Sequence, residues 1–545
     1  MTIPGLMMER PLLISSLLAY GAANHGGSEI VTRSVEGPIH RTTYAETYAR
    51  TQRLANALKG LGIAPGDRVA TLAWNTHRHF ELYYAVSGLG AVCHTINPRL
   101  FREQIVYIVN HAADRVIFAD LTFVPILEAV WDELKTPEAV VVMTDAANMP
   151  ETSLPRTLCY EDLIADAPAD FDWPVFDEGA AAALCYTSGT TGEPKGALYS
   201  HRSSVLHALA FIALLDGRIT SRDTVLMIVP MFHVCGWGLP YVAPITGNRI
   251  VFPGPGYDGE SLHALFEAEK VTVSAGVPTV LMGLLDHLRE TGKRLSHTKV
   301  LLSGGSAPSA AMIEEIEAMG IEFVQGWGMT ESSPLGAICA LKPHMEALPR
   351  ETRQARKLKQ GRPPLGCEIK IIDEAGRRLP HDGEASGEVC LRGNWVIERY
   401  FENEAASAEA FDAEGWLRTG DIGTIDPDGY LHLTDRAKDL IKSGGEWISS
   451  IDLESAAMGH PDVAQAAAIA LPHPKWVERP LLVVIPREGA APDKDEILGF
   501  LRDKVAKWWL PDDVVFVESL PLTATGKVSK ARLRAQFKDH KLPGA

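Results

Sequence analysis

The sequence lacks the features of a membrane-spanning or nucleic-acid-binding protein. No apolar run reaches the length of about 20 residues that a transmembrane helix needs, so we expect no membrane insertion. Positive charge is also in deficit, since 52 Lys and Arg stand against 69 Asp and Glu and leave a formal net charge of −17. Such a balance disfavours a general nucleic-acid or anionic-membrane surface. Any anionic ligand must therefore be held by local cations and backbone N–H groups.

Cysteine is scarce and its spacing excludes the usual cross-linked frameworks. The seven cysteines stand singly, with no CxxC pair, so neither a disulfide framework nor a zinc site is expected. We interpret them as buried thiols in a reducing compartment, which predicts a cytoplasmic location. The first 22 residues lack a basic leader followed by a cleavage site, so no signal peptide is predicted.

The chain is long enough for two or more domains, and its pattern predicts an α/β fold. With 545 residues, it exceeds what one hydrophobic core usually organises. Short apolar runs alternate with helical stretches, which is typical of parallel sheets covered by helices. The runs that we predict as strands are 68–74, 115–119, 180–186, 224–229, 249–252, 272–275 and 300–302, and residues 79–91 are predicted as a helix.

The second half of the chain changes character. Residues 341–362 are polar, basic and proline-bearing, which predicts a surface crossing. Turn signals then crowd around short strands such as 388–392 and 429–433, which predicts a small antiparallel β unit. The last hundred residues return to mixed α/β, with helices expected at 452–458 and 493–508 and a strand at 463–470.

A loop after the predicted strand 180–186 is the most informative segment of the chain. Glycines and hydroxyl residues allow tight turns whose N–H groups form an anion site, and a lysine adds positive charge. The candidate phosphate-binding residues are Thr187, Ser188, Gly189, Thr190, Thr191, Gly192 and Lys195. Pro194 precedes the lysine, so the loop does not match a Walker A motif. Taken alone, it is also compatible with an ordinary turn.

The loop resembles the phosphate loop of the acyl-adenylate-forming superfamily, which includes acyl-CoA synthetases, free-standing adenylation domains and beetle luciferases. Four further segments follow in the order of that superfamily. The resemblance implies a large N-terminal adenylation domain, residues 1–435, and a mobile α+β domain, residues 436–545, with a hinge near Lys438. It also implies ATP and Mg²⁺ as cofactors and CoA as a second substrate.

The segment 325–334 is the second match. By itself it is equally a glycine-rich turn closed by a Thr–Glu pair. The resemblance assigns Gln325, Gly326, Trp327, Gly328, Met329 and Thr330 to the nucleotide. It also gives Trp327 and Gly328 to the acyl group, makes Glu331 catalytic, and pairs Glu331 with Thr187 as metal ligands. Oxygen ligands suit a hard cation such as Mg²⁺.

The third match joins Asp421 to the segment 434–447. An aspartate after a tight turn is usually a cap, but the resemblance has Asp421 and Arg436 hold the ribose. It also places Lys438 with the nucleotide. The residues that it assigns to CoA are Lys442, Ser443, Gly444, Gly445, Glu446 and Trp447.

The remaining matches surround the reacting groups. Lys527 occupies the position of the superfamily's catalytic lysine, where it neutralises charge as a carboxylate attacks. His233 and Trp237 correspond to acyl-contacting residues, with His233 also catalytic, although a core histidine would look the same. Gly304 is assigned to the acyl group, and Gly305, Ser306, Ala307 and Pro308 are assigned to the nucleotide.

The sequence therefore predicts an acid–thiol ligase that forms acyl-CoA through acyl-AMP. Segments 230–240 and 325–331 are similar to the branch of medium-chain and 3-methylmercaptopropionate CoA ligases, which favours 3-(methylthio)propanoate and a role in dimethylsulfoniopropionate breakdown. A carrier-protein-loading adenylation enzyme and a luciferase-like oxygenase share these motifs and remain alternatives. A nucleotide sensor is disfavoured because Lys527, Glu331 and Asp421 are all present. By analogy with the superfamily, we expect a homodimer.

Overall fold

The structure is a computed structural model that describes residues 3, 5–187, 193–436, 438–443, 446–523 and 527–543. Most of the chain up to Cys339 forms two large sheets covered by helices. In chain order their strands are β1 (Glu29–Arg33), β2 (Ile39–Thr43), β3 (Arg68–Leu72), β4 (Val92–Thr95), β5 (Asp114–Ala119), β6 (Ala139–Val142), β7 (Thr157–Cys159), β8 (Ala181–Tyr186), β9 (Gly196–Ser200), β10 (Thr224–Met227), β11 (Arg249–Phe252), β12 (Val273–Gly276), β13 (Val300–Ser303), β14 (Glu322–Trp327) and β15 (Ala337–Cys339).

Twelve described helices belong to this part of the chain. They are α1 (Ser15–His25), α2 (Tyr44–Gly60), α3 (His77–Gly88), α4 (Arg102–Ala112), α5 (Val124–Val130), α6 (Tyr160–Ala165), α7 (His201–Leu215), α8 (Leu239–Thr246), α9 (Gly259–Ala268), α10 (Pro278–Thr291), α11 (Ala310–Ala318) and α12 (Arg350–Lys357). Helix α12 lies within the predicted surface crossing and buries none of its residues.

The two large sheets are mainly parallel, as the alternating pattern predicts. One has the strand order β7-β6-β5-β3-β4-β8-β9, and the other has the order β15-β14-β13-β12-β10-β11-β1-β2. Among the described strands of these two sheets, antiparallel pairs occur at the edges, between β8 and β9, β14 and β15, and β1 and β2. The strand interiors are buried because helices cover both faces of such sheets.

Helix α3 joins the cores of the two sheets. All twelve of its residues are buried, and the six from Phe80 to Val86 other than Glu81 share one hydrophobic cluster with residues of both sheets. The ring of Phe80 lies 5.6 Å from the ring of Phe252 on β11. The helix is buried on every side although it contains charged residues, and the buried Glu81 is paired with Arg50 at 2.6 Å. Helix α3 therefore packs between the two sheets.

The predicted antiparallel unit follows the large sheets. It consists of β16 (Cys367–Ile372), β17 (Gly387–Gly393), β18 (Leu417–Ile425) and β19 (Leu431–Arg436), paired in that order, with α13 (Glu404–Ala410) between β17 and β18. Each neighbouring pair is antiparallel. Its last strand, β19, ends at the linker that precedes the C-terminal sheet.

The C-terminal part is a separate α+β layer with its own apolar clusters. Its elements are β20 (Ile441–Ser443), β21 (Glu446–Ile448), α14 (Ser450–Met458), β22 (Val463–His473), β23 (Val477–Pro486), α15 (Lys494–Leu501), β24 (Asp513–Phe516) and α16 (Lys530–Gln536). The helix predicted over 493–508 is too long, since α15 ends at Leu501. Residues 502–504 are exposed and offer no apolar face to extend it.

Two further observations concern burial and membranes. All seven cysteines are free and buried, which confirms the interpretation of their thiols as core groups.

Among the helices that the structure describes, none combines the length and apolar content required to cross a bilayer.

Candidate active site

The predicted residues of three motifs, those at 233–237, 304–308 and 325–331, follow neighbouring strands of the eight-stranded sheet. Strands β14, β13, β12 and β10 are parallel neighbours, so the loops after their carboxyl ends lie side by side. The loop after β10 carries His233 and Trp237, and the loop after β13 begins at Gly304. Such an edge is where open α/β sheets bind ligands. The order of strands, rather than the order of residues, brings these distant motifs together.

The loop after β13 contains Ser306, Ala307 and Pro308, and the end of β14 carries Gln325, Gly326 and Trp327, followed by Gly328 and Met329. Ser306 and Ala307 are exposed, whereas Gln325 is buried and its Oε1 has no hydrogen-bond partner within the described part of the chain. A buried amide oxygen without a partner is unusual and is typical of a site that a ligand completes.

The candidate phosphate loop connects the antiparallel strands β8 and β9 of the seven-stranded sheet. Its ends are closed by two hydrogen bonds: the N–H of Thr187 donates to the carbonyl of Lys195 at 2.9 Å, and the N–H of Lys195 donates to Thr187 Oγ1 at 3.2 Å. Lys195 Nζ lies 5.1 Å from the centre of the Tyr400 ring. The predicted residues Ser188, Gly189, Thr190, Thr191 and Gly192 lie outside the described residues.

Glu331 is buried in a short 3-10 helix directly after β14. Its Oε1 accepts a hydrogen bond of 2.7 Å from the hydroxyl of Tyr400, and burial raises the pKa of its carboxyl group above the ordinary value. The preceding carbonyl, that of Thr330, accepts a 2.5 Å hydrogen bond from Tyr199. Tyr400 engages one carboxylate oxygen, Oε1, and leaves the other, Oε2, for a further interaction.

Asp421 and Arg436 face each other across β18 and β19. The register pairs them directly, and Arg436 Nε lies 3.0 Å from Asp421 Oδ1. The indole Nε1 of Trp327 donates to the other oxygen, Oδ2, at 3.1 Å. The small antiparallel unit therefore presents a fixed carboxylate beside the end of β14, as hydroxyl recognition requires.

Lys527 reaches this edge from the C-terminal part. Its Cε lies 3.9 Å from the point where a side chain on Gly305 would begin. Burial and then the positive charge of Arg436 lower the pKa of the Lys527 amine to about 8, against the favourable charges of Asp421 and Glu331. Burial, assisted by the Lys527 charge, lowers the pKa of His233 to about 3, so this imidazole is neutral at pH 7.

The loop between β10 and α8, which contains His233 and Trp237, has a strained backbone. Val234, Cys235 and Trp237 adopt left-handed φ angles of 40°, 39° and 55°, which side chains other than glycine rarely accept. This turn directs Trp237 onto Gly304, where an added methyl group would stand 3.1 Å from the indole ring. The carbonyl oxygen of Gly326 would stand closer still, at 2.9 Å, so glycine at 304 is favoured by the approach of both the backbone of β14 and Trp237.

The predicted CoA-binding residues lie on the C-terminal sheet instead. Ser443 accepts a hydrogen bond from Arg479 at 3.1 Å, and Lys442 Nζ lies 4.5 Å from the ring of the exposed Trp447. Gly444 and Gly445 fall outside the described residues, as does the side chain of Glu446. Lys438 is exposed in the linker that precedes β20.

Sequence reasoning missed three residues that shape this site. Tyr400 and Tyr199 hold the Thr330–Glu331 segment, and Phe401 donates its N–H to the carbonyl of Gly196 at 2.8 Å, at the end of the phosphate loop. None of them stands in a glycine-rich or charged pattern. Their roles arise from contacts across long stretches of chain, which no local signal announces.

Comparison with known proteins gives matches over most of the chain. Residues 18–401 match the AMP-binding enzyme family and residues 452–527 match the AMP-binding enzyme C-terminal domain. The chain is 49% identical to 3-methylmercaptopropionyl-CoA ligase of Ruegeria lacuscaerulensis, over 98% of this chain and 99% of that protein. It is 46% identical to a medium-chain-fatty-acid–CoA ligase of Ectopseudomonas oleovorans, covering 98% of each chain.

Other relatives extend the range of acyl groups. A long-chain-fatty-acid–CoA ligase of Thermus thermophilus is 48% identical, again covering 98% of each chain. Among solved structures, the anthranilate CoA ligase AuaEII in complex with anthranoyl-AMP superposes with a TM-score of 0.86 at 25% identity, over 97% of this chain and 98% of that one. Because the chain is about equally identical to ligases named for different acids, sequence identity alone does not identify the acid that this protein uses.

Proposed function

Since the chain belongs to the AMP-binding enzyme family, we propose that it joins 3-(methylthio)propanoate, or another short or medium-chain acid, to CoA with conversion of ATP to AMP and pyrophosphate. The class of reaction, AMP-forming acid–CoA ligation through acyl-AMP, is that of its relatives at 46–49% identity. The observation that supports our assignment of roles is the convergence of Lys527, Asp421 and Glu331 at the carboxyl edge of one sheet.

In the first half-reaction, an oxygen of the acid attacks the α-phosphorus of ATP, and the bond from that phosphorus to the bridging oxygen of pyrophosphate breaks. We assign the triphosphate to the loop that Thr187 and Lys195 close. Asp421 and Arg436 take the ribose hydroxyls. Lys527, protonated below pH about 8, offsets the negative charge that develops between carboxylate and phosphate. No proton transfer is required, because the attacking group is already a carboxylate.

The residues fit a Mg²⁺ ion shared with the substrate. Glu331 offers one buried carboxylate oxygen, and no group of three or more acidic, His or Cys ligands occurs in the described portion of the chain. Mg²⁺ commonly takes one or two protein oxygens and fills its remaining positions with phosphate and water. We propose Glu331 and Thr187 as its protein ligands; when bound, the ion neutralises phosphate charge.

In the second half-reaction, the sulfur of CoA bonds to the acyl carbon as the thiol loses its proton to solvent, and the bond from that carbon to the phosphate oxygen breaks, which releases AMP. We propose that the C-terminal part, residues 436–545, rotates about Lys438, which withdraws Lys527 and presents the segment 442–447. The placement of Trp447 on an exposed face of the C-terminal sheet supports a second arrangement in which that face meets the site. Two sets of residues would thus serve one site in turn.

The packing of Trp237 supports a short or medium acid. Its indole covers Gly304, and it occupies volume that a long chain would need. A thioether also packs favourably against aromatic rings, which supports 3-(methylthio)propanoate among acids of this length. We further propose a cytoplasmic homodimer. CoA rather than a carrier protein is the proposed acceptor, in keeping with the names of the relatives.

A panel of acids assayed for AMP release, with and without CoA, tests this proposal. We expect pyrophosphate exchange without CoA and AMP release with thioester formation once CoA is added, strongest for 3-(methylthio)propanoate and acids of similar length. Turnover of palmitate as fast as butyrate would contradict the acyl assignment. Exchange that continues while free CoA yields no thioester would instead favour a carrier-protein acceptor.

A further inference from the structure

A small cavity next to the site contains a polar group that the proposed reaction does not use. It is lined by residues that are mainly apolar, namely Ile228, Val229, Pro230, Phe232, Val277 and Val280, together with Asn97, Arg99, His233, Trp237 and Tyr257. The hydroxyl of Tyr257 is buried and has no hydrogen-bond partner within the described residues. Native proteins leave few buried polar groups unpaired, because each costs about 1–3 kcal/mol, so this one needs an explanation.

The cavity shares two of its lining residues with the surroundings of Gly305, where Lys527 also lies. Val277 lies 3.3 Å from the point where a side chain on Gly305 would begin, and Trp237 lies 3.9 Å from the same point, as does Lys527. Val277 and Trp237 therefore border both the reacting end and the cavity. An acyl chain whose carboxylate meets Lys527 has its distal atoms directed past these two side chains.

Tyr257 lines this cavity and packs against Trp74. It stands in the connection between β11 and α9, and its ring lies 5.8 Å from the ring of Trp74. Burial raises the pKa of the phenol, so it is protonated at pH 7 and can donate one hydrogen bond. Among the described residues that line the cavity, Tyr257 is the one whose buried side-chain polar atom lacks a hydrogen-bond partner. Such a donor matches a short aliphatic chain that carries one acceptor atom.

Resting on the proposed function, we propose that Tyr257 is a specificity-determining residue that donates a hydrogen bond to a thioether or ether atom in the distal part of the acyl chain. The ligand class is a short acid with one such heteroatom, rather than a plain alkanoate of equal length. An alkanoate would leave the phenol unpaired, and a site with an unpaired polar group discriminates against the analogue that lacks the acceptor.

The test compares isosteric acids in the wild type and in Tyr257→Phe. The acids are 3-(methylthio)propanoate, 3-methoxypropanoate and pentanoate, assayed for kcat/KM of AMP release with CoA. We expect the wild type to prefer the two heteroatom acids over pentanoate, and Tyr257→Phe to reduce that preference about fivefold, the size of one neutral hydrogen bond. Folding of the variant is checked by its ATP affinity and its thermal unfolding midpoint, both of which should match the wild type.

The exposed Tyr20, changed to Phe, is the matched control and should keep the wild-type preference. An equal preference in the wild type and Tyr257→Phe would overturn the inference and leave the ligase function intact. A change confined to the KM for CoA would also overturn it, since the phenol would then contact the thiol substrate. No AMP release from any acid in the wild type would refute the proposed function itself.

Discussion

At the scale of single residues, the proposed chemistry depends on the amine of Lys527, which lies near charges of both signs. Arg436 disfavours the charged form of Lys527, whereas Asp421 and Glu331 favour it, and burial outweighs both acids. The amine is therefore charged at pH 7 but close to losing its proton. A group so balanced is typical of a catalytic position, although ion pairs in a fold also shift pKa values.

Replacement of Lys527 with alanine should separate the two half-reactions. We expect pyrophosphate exchange to fall by about 10²-fold or more, the usual loss when one positioned electrostatic group is removed. Thioester formation from supplied acyl-AMP and CoA should stay near the wild-type rate. The exposed Lys507→Ala serves as control, and equal losses in both half-reactions would contradict the assigned role.

The same residue predicts a pH dependence. Because the pKa of Lys527 is lowered to about 8, its positive charge is present below that pH and is lost above it. The kcat/KM of adenylation for the acid should decline above pH about 8, approaching tenfold per pH unit. In Lys527→Arg the cation persists above pH 12, so this alkaline decline should vanish, at a lower maximal rate. A decline that Lys527→Arg retains would belong to another group.

At the scale of secondary structure, the pairing of β18 with β19 builds the nucleotide side of the site. The register puts Asp421 opposite Arg436, and a bulge between Ile422 and Gly423 locally interrupts the regular pairing. Trp327 at the end of β14 then bonds the same carboxylate. A carboxylate held by two donors from two sheets is already oriented before a ligand arrives.

Asp421→Ala should weaken ATP binding by about 1–3 kcal/mol, the value of charged hydrogen bonds to the ribose. Calorimetric titration of ATP in the absence of acid measures this directly. The control is Glu368→Ala, which removes an exposed carboxylate from β16 of the same small sheet, where it pairs with Arg392 at 2.9 Å. Unchanged ATP affinity in Asp421→Ala would exclude the ribose assignment.

At the scale of the whole molecule, the position of the C-terminal part decides which half-reaction is possible. Near the linker, the N–H of Ser450 donates to Asp435 Oδ2 at 2.7 Å. Farther out, the guanidinium of Arg532 lies 4.9 Å from the ring of Phe101, an exposed residue at the start of α4. This cation–π contact joins the C-terminal part to the N-terminal part while Lys527 is in the site.

Loss of the Arg532–Phe101 contact should destabilise the arrangement in which Lys527 lies in the site. We expect Arg532→Ala to slow adenylation by about two- to fivefold, since exposed cation–π pairs contribute about 0.5–1 kcal/mol. Thioester formation from supplied acyl-AMP should not slow. Lys504→Ala removes a similar pair, with Phe500 at 4.7 Å, that lies within the C-terminal part alone. If both variants lose adenylation equally, the effect is a loss of stability.

The sequence by itself determined the local features of this protein. Apolar runs bounded by turns indicated seven of the fifteen strands of the two large sheets, because burial on both faces requires continuous apolar residues. Glycine-rich and charged motifs identified the family, and through it the expected site residues, because close backbone approach and phosphate charge restrict which residue types are possible. The end of α15 was misjudged because helical propensity continues past Leu501 while the buried face does not.

Only the tertiary structure decided which of these motifs meet. The neighbouring order of β14, β13, β12 and β10 brings four loops to one edge, and strand order is not encoded in any local pattern. Tyr400, Tyr199 and Tyr257 acquire their places through contacts with residues far away in the chain. The role of a buried tyrosine hydroxyl depends on its neighbours, because the same hydroxyl with a hydrogen-bond partner in the core would be purely structural.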